Sequence, residues 1–352
     1  MATSVRHIPS LDGIRAVSFL LVFAAHTGFE RFVPGGLGVT IFFFLSGFLI
    51  TTLMRSEYDR HGSINFSHFW LRRILRILPP FYLVLLVAVS GSLIFEPRGT
   101  LNPGAVTAQA LHYSNYWIIA HGYVGLPPGT AVYWSLAVEE HFYLLFPWLY
   151  SWIRGLQATA RTQALIFWGL CLLVLLWRCV LVFGYHVSDD RTYMGSDTRL
   201  DSILFGCALA VWHNPVRDPI QLIETRWKYL YAPAAMAVMI GCLTVRSDGF
   251  RETLRYSLQG AALTVLFIAA IRYHQWAVFR LLNTRVVAFI GLLSYSLYLV
   301  HYTVDAAFLG VFPQMEPTFR AALVLLASVL LAWLIYIGVE RPCGRLRRRL
   351  ID

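Results

Sequence analysis

The sequence predicts an all-α polytopic integral membrane protein, with about ten transmembrane helices and both termini in the cytoplasm. Three observations carry this. The first is composition: of 352 residues, 57% are hydrophobic and only 14% charged, with a mean hydropathy of +0.59. A soluble domain carries about a quarter charged residues, so this chain has too little polar side chain to cover a water-facing surface. The second is that apolar runs recur at the length a bilayer needs, about 20 residues. The third is the placement of arginine: with the N-terminus inside, 19 of the 29 Lys and Arg residues fall on inner segments and 8 on outer ones, the bias expected of cytoplasmic loops. The net charge of +10 is dispersed between apolar runs, so no nucleic-acid face is expected.

The spans read in order as Leu11–Phe29, Gly38–Met54, Ile77–Phe95, Tyr133–Trp152, Thr162–Gly184, Leu200–His213, Leu230–Val245, Leu254–Tyr273, Val286–Leu309 and Phe319–Val339. The sixth is short, and Pro233 interrupts the seventh. The first run is too long for a signal peptide and has no small-x-small cleavage site after it, so it reads as a retained span. Residues Ala105–Ala120 hold Gln109, His112, Ser114 and Asn115 and read as one re-entrant or interfacial helix, because backbone at that depth must be buried in protein. The longest connection, Glu96 to Val132, lies outside. No soluble domain and no inverted repeat is legible. The chain divides into a membrane domain, 1–342, and a short basic cytoplasmic tail, 343–352. The five cysteines form no CxxC pair, so small apolar packing is the expectation and no metal site is.

Ionisable groups within spans are expensive and mark function by default. Arg15 and His26 lie eleven apart, a net rotation of roughly 20° and a rise of about 16 Å, so they share one helix face at different depths. Two readings stand: a snorkelling arginine and an interfacial histidine, or a deep base with a cation at the inner mouth of its cavity. Arg72, Arg73 and Arg76 precede Pro79 and Pro80; they read as positive-inside anchors or as a phosphate clamp, since guanidinium forks match phosphate oxygens. The run Trp134-Ser135-Leu136-Ala137-Val138-Glu139-Glu140-His141-Phe142-Tyr143 opens the fourth span with two carboxylates. It reads as a solvated helix start, or as an acid that orients an imidazole or a sugar hydroxyl. In Asp197-Thr198-Arg199-Leu200-Asp201-Ser202, two readings are equally open: structural pairing of Asp201 with Arg199 or with a cation of another span, or contact with substrate. Tyr295, Tyr298, His301 and Tyr302 lie on or near one face of the ninth span, where interhelical hydrogen bonding and site lining are equally open. Neither a phosphate-binding loop, a GxSxG elbow nor an HExxH pair occurs.

Taken together these motifs resemble membrane-bound acyltransferase family 3, the transmembrane O-acyltransferases. The resemblance rests on Ser10-Leu11-Asp12-Gly13-Ile14-Arg15 with Arg-x10-His ending at His26; Phe42-Phe43-Phe44-Leu45-Ser46-Gly47-Phe48; the arginine cluster with Pro79; Asn115-Tyr116-Trp117; the Trp134-to-Tyr143 run; Thr198-Arg199-Leu200-Asp201; Ser294-Tyr295-Ser296-Leu297-Tyr298-Leu299-Val300-His301; and Glu340-Arg341-Pro342. It covers nearly the whole chain.

The resemblance implies transfer of an acyl group, foremost acetyl, from cytoplasmic acyl-CoA to a hydroxyl on the far side of the cell membrane. The acceptor it implies is a cell-surface carbohydrate, with a lipid or a macrolide-like small molecule as alternatives. Acyl-CoA enters as donor substrate rather than as a resident cofactor. Carried over residue by residue, His26 is the essential histidine, Arg15 its partner in the pattern and Glu139 the principal acid. Arg72, Arg73 and Arg76 face the CoA phosphates. Glu140, Tyr143, Trp134, Tyr295, Tyr298 and Asn115 are the expected substrate contacts, with Glu139 or Glu140 holding the imidazole or the acceptor. His26 is expected to act as general base, with an acyl-histidine as the alternative. His141 departs from the pattern, where Gln is more usual. A fused extracytoplasmic hydrolase-like domain is not expected in this chain. A secondary transporter or an accessory membrane subunit would use the same composition, and release of free CoA separates them.

Overall fold

The computed structural model describes residues 8, 10–95, 99–219 and 221–351; Arg6 and Arg98, counted above for orientation, lie outside them. Among the described residues every regular element is a helix, and there is no strand. Seven helical rods are long and apolar enough to cross a membrane: Leu11–Phe29, Gly35–His61, Phe66–Phe95, Ala160–Gly184, Leu254–Arg272, Arg285–Val311 and Pro317–Ile351. The chain is an integral membrane protein by this measure. Three further helices, Trp134–Gly155, Ser196–Val211 and Ala232–Thr244, overlap the fourth, sixth and seventh spans read from the sequence.

In chain order the helices are α1 (Leu11–Ala24), α2 (Gly35–His61), α3 (Phe66–Phe95), α4 (Pro103–Ala110), α5 (Ser114–His121), α6 (Trp134–Gly155), α7 (Ala160–Cys179), α8 (Asp189–Met194), α9 (Ser196–Val211), α10 (Glu224–Arg226), α11 (Ala232–Thr244), α12 (Asp248–Glu252), α13 (Leu254–Arg272), α14 (Ala277–Arg280), α15 (Arg285–Val311), α16 (Pro317–Ile335) and α17 (Arg341–Ile351). The single interfacial helix expected over Ala105–Ala120 is two, α4 and α5, broken where His112 takes a positive φ of 56°. Pro233 does not break the helix that holds it. It sits in the first turn of α11 behind a π turn, Trp227–Tyr231, and a widened turn absorbs the donor that proline lacks. Residues 343–351, the basic tail, lie in α17, which continues from α16 through another π turn, Tyr336–Glu340, and packs on α3.

Lipid tails are as apolar as leucine, so close backbone approach rather than hydrophobic burial holds such helices together. Two contacts set the frame. Gly47 of α2 and Gly206 of α9 face each other's helix, where a Cβ on either would overlap the backbone carbonyl of Ile203 or Phe44. Gly291 of α15 lies against the Asp12 carbonyl of α1 with the same consequence. The second contact draws α1 and α15 together along the length that leads to His26 and His301. Beside them, Arg178 of α7 and Asp201 of α9 are fully buried and paired through both guanidinium nitrogens at 2.9 and 2.6 Å, with Ser257 of α13 donating to the same carboxylate at 2.7 Å. Asp201 thus takes the cation of another span. Arg199 instead stacks over Tyr256, 4.0 Å from its ring centre, and donates to Thr40 at 2.8 Å.

Candidate active site

Two cavities meet inside the bundle. The larger, about 1340 Å³, is lined by Arg15, Arg60, Arg72, Arg73, Arg76, Arg217, Arg347 and Arg348, with Ser46, Glu139, Glu140, Tyr143 and Tyr295 deeper in. The smaller, about 440 Å³, is lined by His26, Glu30, Trp134, Asp189, Asp190, Tyr193, Arg251, Glu252, Arg255 and Tyr256. Val39 and Tyr298 line both, so a tyrosine ring and a valine form the partition. Arg15 and His26, on one face of α1, open into different cavities.

His26 stands where α1 ends. The helix widens into a π turn over Ala25–Phe29, and Gly28 breaks it at φ 101°, a conformation open to glycine and strained for other residues. The Thr27 hydroxyl donates to the Phe23 carbonyl at 3.0 Å and ties the widened turn down. His26 stacks on Tyr302, 4.6 Å between ring centres, and its Nδ1 lies 3.0 Å from Nε2 of His301. His301 is fully buried, with Phe19 edge-on at 5.6 Å.

The proton positions follow from the partners. Nδ1 of His301 sits 2.9 Å from the Tyr298 carbonyl and 3.2 Å from that of Leu297. A carbonyl only accepts, so this Nδ1 carries hydrogen, and in a neutral ring Nε2 is then the acceptor. Nδ1–H of His26 donates to it. Nε2 of His26 is left with its lone pair, on a side chain that lines the smaller cavity. The arrangement also accommodates the imidazolium that forms when Nε2 takes a proton, because Nδ1–H already has its acceptor.

The larger cavity has its own network. Tyr143 donates to Glu139 at 2.8 Å and lies 2.6 Å from the Ser46 hydroxyl. The Arg73 guanidinium lies over the Tyr143 ring at 5.5 Å, and its Nε is buried without a partner. Arg72 is paired with Glu57 at 2.8 Å, and Arg15 with Asp12 at 2.9 Å. Tyr295 donates to the Ile77 carbonyl at 2.7 Å, in the turn of α3 that Pro79 and Pro80 loosen by removing two donors. On the partition, the Tyr298 hydroxyl lies 2.7 Å from that of Ser135 and donates to the Val132 carbonyl at 3.1 Å.

Glu139 and Glu140 therefore belong to the arginine-lined cavity. The group that holds the His26 imidazole is His301, not a carboxylate, because the partition lies between Glu139 and the histidine pair. Asn115 lines neither cavity: its amide donates to the Met194 carbonyl at 3.1 Å and to Ser196 at 3.0 Å. His141 bonds the same serine at 2.7 Å, so the unusual residue braces α5, α6 and α9. Trp134 lines the histidine side, whereas Tyr143 and Tyr295 line the arginine side. Sequence reasoning did not select the charged residues of α8 and α12 that face His26; they lie in short loop helices with no apolar run to make a charge conspicuous.

A family of acyltransferase domains matches residues 8–337. The chain belongs to acyltransferase family 3. It is 31% identical to a peptidoglycan O-acetyltransferase, OatA, of Listeria monocytogenes, over 96% of this chain and 56% of that protein. It is 32% identical to a putative peptidoglycan O-acetyltransferase, YrhL, of Bacillus subtilis, over 96% and 55%. With an O-acetyltransferase, OatA, of Staphylococcus aureus it shares 30% identity over 96% and 57%. The chain spans about half the length of these relatives. No solved structure matches it.

Proposed function

We propose that this acyltransferase moves an acetyl group from cytoplasmic acyl-CoA to a hydroxyl of an extracytoplasmic carbohydrate, of the peptidoglycan kind named for its relatives. In this reading ten helices cross the cell membrane, with residues 1–342 as the catalytic domain and both termini cytoplasmic. The arginine cavity opens inward and the histidine cavity outward. The observation that carries the reading is the bare Nε2 of His26, on a cavity separated only by Tyr298 and Val39 from one lined with guanidinium groups.

The donor's phosphates cannot enter a hydrocarbon core and stop at Arg72, Arg73 and Arg76, which match phosphate oxygens. A volume of about 1340 Å³ exceeds that of drug-sized pockets, about 300–1,000 Å³, and suits an extended nucleotide thioester. The pantetheine arm runs inward past Arg15 toward Tyr298, and the thioester meets the acceptor when that ring moves aside. In the smaller cavity the aromatic faces of Trp134 and Tyr193, with the carboxylates of Asp189, Asp190 and Glu252, suit a polyhydroxylated acceptor.

The hydroxyl proton passes to His26 Nε2 as its oxygen attacks the thioester carbonyl. The carbon–sulfur bond breaks, and the thiolate takes the proton back from the imidazolium, giving ester and free CoA. Glu139, through Tyr143 and Ser46, shapes the donor side and sets the placement of Arg73.

His26→Asn tests this. The Asn amide stands in for Nδ1–H, so the bond to His301 is kept while the base is removed. Thiol release from acetyl-CoA, with an N-acetylglucosamine oligosaccharide as acceptor, should fall by about 10²-fold or more at unchanged melting temperature. Undiminished turnover would refute the assignment. Label trapped on His26 in the absence of acceptor would replace direct transfer by an acyl-histidine.

A further inference from the structure

We propose that α17 is part of the donor site and grips the nucleotide phosphates of acyl-CoA. The inference rests on reading the arginine cavity as the donor cavity. The helix lies beyond the stretch matched by the family, residues 8–337, and on sequence alone its arginines are an anchoring tail. The structure divides them. Arg347 and Ile351, four apart, share a half-buried helix face and line the arginine cavity; Arg348, exposed beside them, lines its edge. Arg341, Arg345 and Arg349 follow the same four-residue step on an exposed face.

That division separates two chemistries. An amphipathic basic helix at a membrane surface pairs its charges with lipid headgroups, and Arg341, Arg345 and Arg349, which do not line the cavity, suit that. Arg347 and Arg348 instead share a cavity with Arg60, Arg72 and Arg217, borne on α2, α3 and the segment after α9. Among the described lining residues are eight arginines and two glutamates, and cationic charge is still in excess after Asp12, Glu57 and Asp59 pair with Arg15, Arg72 and Arg217. This excess is the field of a polyanion site, larger than a single phosphate requires. Arg72 and Arg217 are already paired with Glu57 at 2.8 Å and Asp59 at 3.1 Å. Those acids fix the two guanidinium groups at the rim while leaving donors for a second anion, since a guanidinium carries five N–H groups. A nucleotide bearing a diphosphate and a ribose phosphate spreads its charge over several ångströms and would engage both α17 and the opposite rim. A small anion would reach only one of them. Because α17 also packs on α3, which carries Arg72, Arg73 and Arg76, occupancy by such a ligand would draw together the elements that form the mouth.

The test uses the full chain in nanodiscs of neutral phosphatidylcholine, with adenosine 3′,5′-bisphosphate as probe in calorimetry. R347Q/R348Q should weaken binding about tenfold or more, the size of a lost charge-assisted contact. R345Q/R349Q, on the exposed face, should leave it within about twofold on the same scale. Kinetics give a second readout: the preference for acetyl-CoA over acetyl-pantetheine, which lacks the nucleotide, should shrink by the same factor in R347Q/R348Q. The loss should appear as a raised KM for acetyl-CoA, and R347K/R348K should restore part of the preference. Equal loss in both glutamine variants, or in neither, would overturn the proposal. So would a loss that appears only when anionic phosphatidylglycerol is present, which would assign the inward arginines to lipid. If the unaltered protein released no thiol from acetyl-CoA, the donor reading would fall, whereas the bisphosphate titration would still decide whether α17 binds nucleotide phosphates.

Discussion

His301→Ala is the perturbation that probes the histidine pair most directly. The substitution removes the only acceptor assigned above to Nδ1–H of His26, 3.0 Å away. Between two neutral groups such a bond contributes about 1 kcal/mol net. In the transition state His26 carries charge, and a hydrogen bond to an ionised donor is roughly twice as strong. The differential loss is then about 1–2 kcal/mol, or roughly 5- to 30-fold in turnover number. A ring freed to take the other tautomer loses a further part of its base, which brings the expected fall to about 10- to 100-fold, the range known for partners that orient metal-bound histidines. His301 lines neither cavity, so KM for acetyl-CoA should not move. The assay is steady-state thiol release with acetyl-CoA and the oligosaccharide each varied in turn. A buried side chain cut back to alanine also destabilises, by about 2–5 kcal/mol for residues of similar size, so His301→Gln serves as the control. Its amide oxygen reaches the place of Nε2 and can accept from His26, and it should recover much of the rate. If His301→Gln is as slow as His301→Ala while both remain folded, the acceptor at Nε2 is not what matters. If His301→Ala keeps full turnover, the tautomer argument fails altogether.

Three other outcomes follow from the packing. Tyr298→Ala removes the ring shared by the two cavities, so water should reach the donor side: acceptor-independent hydrolysis of acetyl-CoA should rise about tenfold while transfer to sugar falls, because exclusion of water is what suppresses such side reactions; unchanged hydrolysis would mean that the partition lies elsewhere. Asp201→Asn leaves the Arg178 charge buried without its partner and should destabilise by about 3–5 kcal/mol, whereas the double change Arg178→Met with Asp201→Leu should recover most of that loss; thermal unfolding in one detergent compares them, and a double variant no better than the single one contradicts the ion-pair account. Glu316 accepts from the backbone N–H groups of Thr318 and Phe319 at 2.9 and 2.8 Å, and these bonds hold its carboxyl below the usual range. Its stabilising effect is therefore present above the unfolded value, about 4.3, and is lost as pH falls through the lower folded value, so Glu316→Ala should lower the melting temperature at pH 7 and converge with the unaltered protein near pH 3; a gap that persists in acid would point to packing instead of the cap.

Which parts were legible in the sequence depends on how local each determinant is. The first span was read to the residue, Leu11–Phe29, because apolar length and the polar stop after it are both local signals. The shared face of Arg15 and His26 was legible for the same reason, since helical geometry fixes it. What one helix cannot state is what faces it. The sequence offers Glu139 or Glu140 to hold the imidazole or the acceptor; the fold lines the other cavity with both and brings up His301 to the imidazole, 275 positions away in the chain. Nothing near either histidine encodes that meeting. It is set by Gly291, where the Asp12 carbonyl leaves no room for a Cβ, and a glycine in an apolar run does not name its neighbour. The same limit explains Asn115, whose amide is taken by Met194 and Ser196, and α17, whose run of arginines looks alike on every face until α3 fixes which side turns inward. In this chain chemistry-bearing residue types could be picked from sequence because the bilayer makes them rare. Their division between the arginine-lined and the histidine-lined cavity could not, because that division is made by helix contacts in which glycine, valine and tyrosine take part.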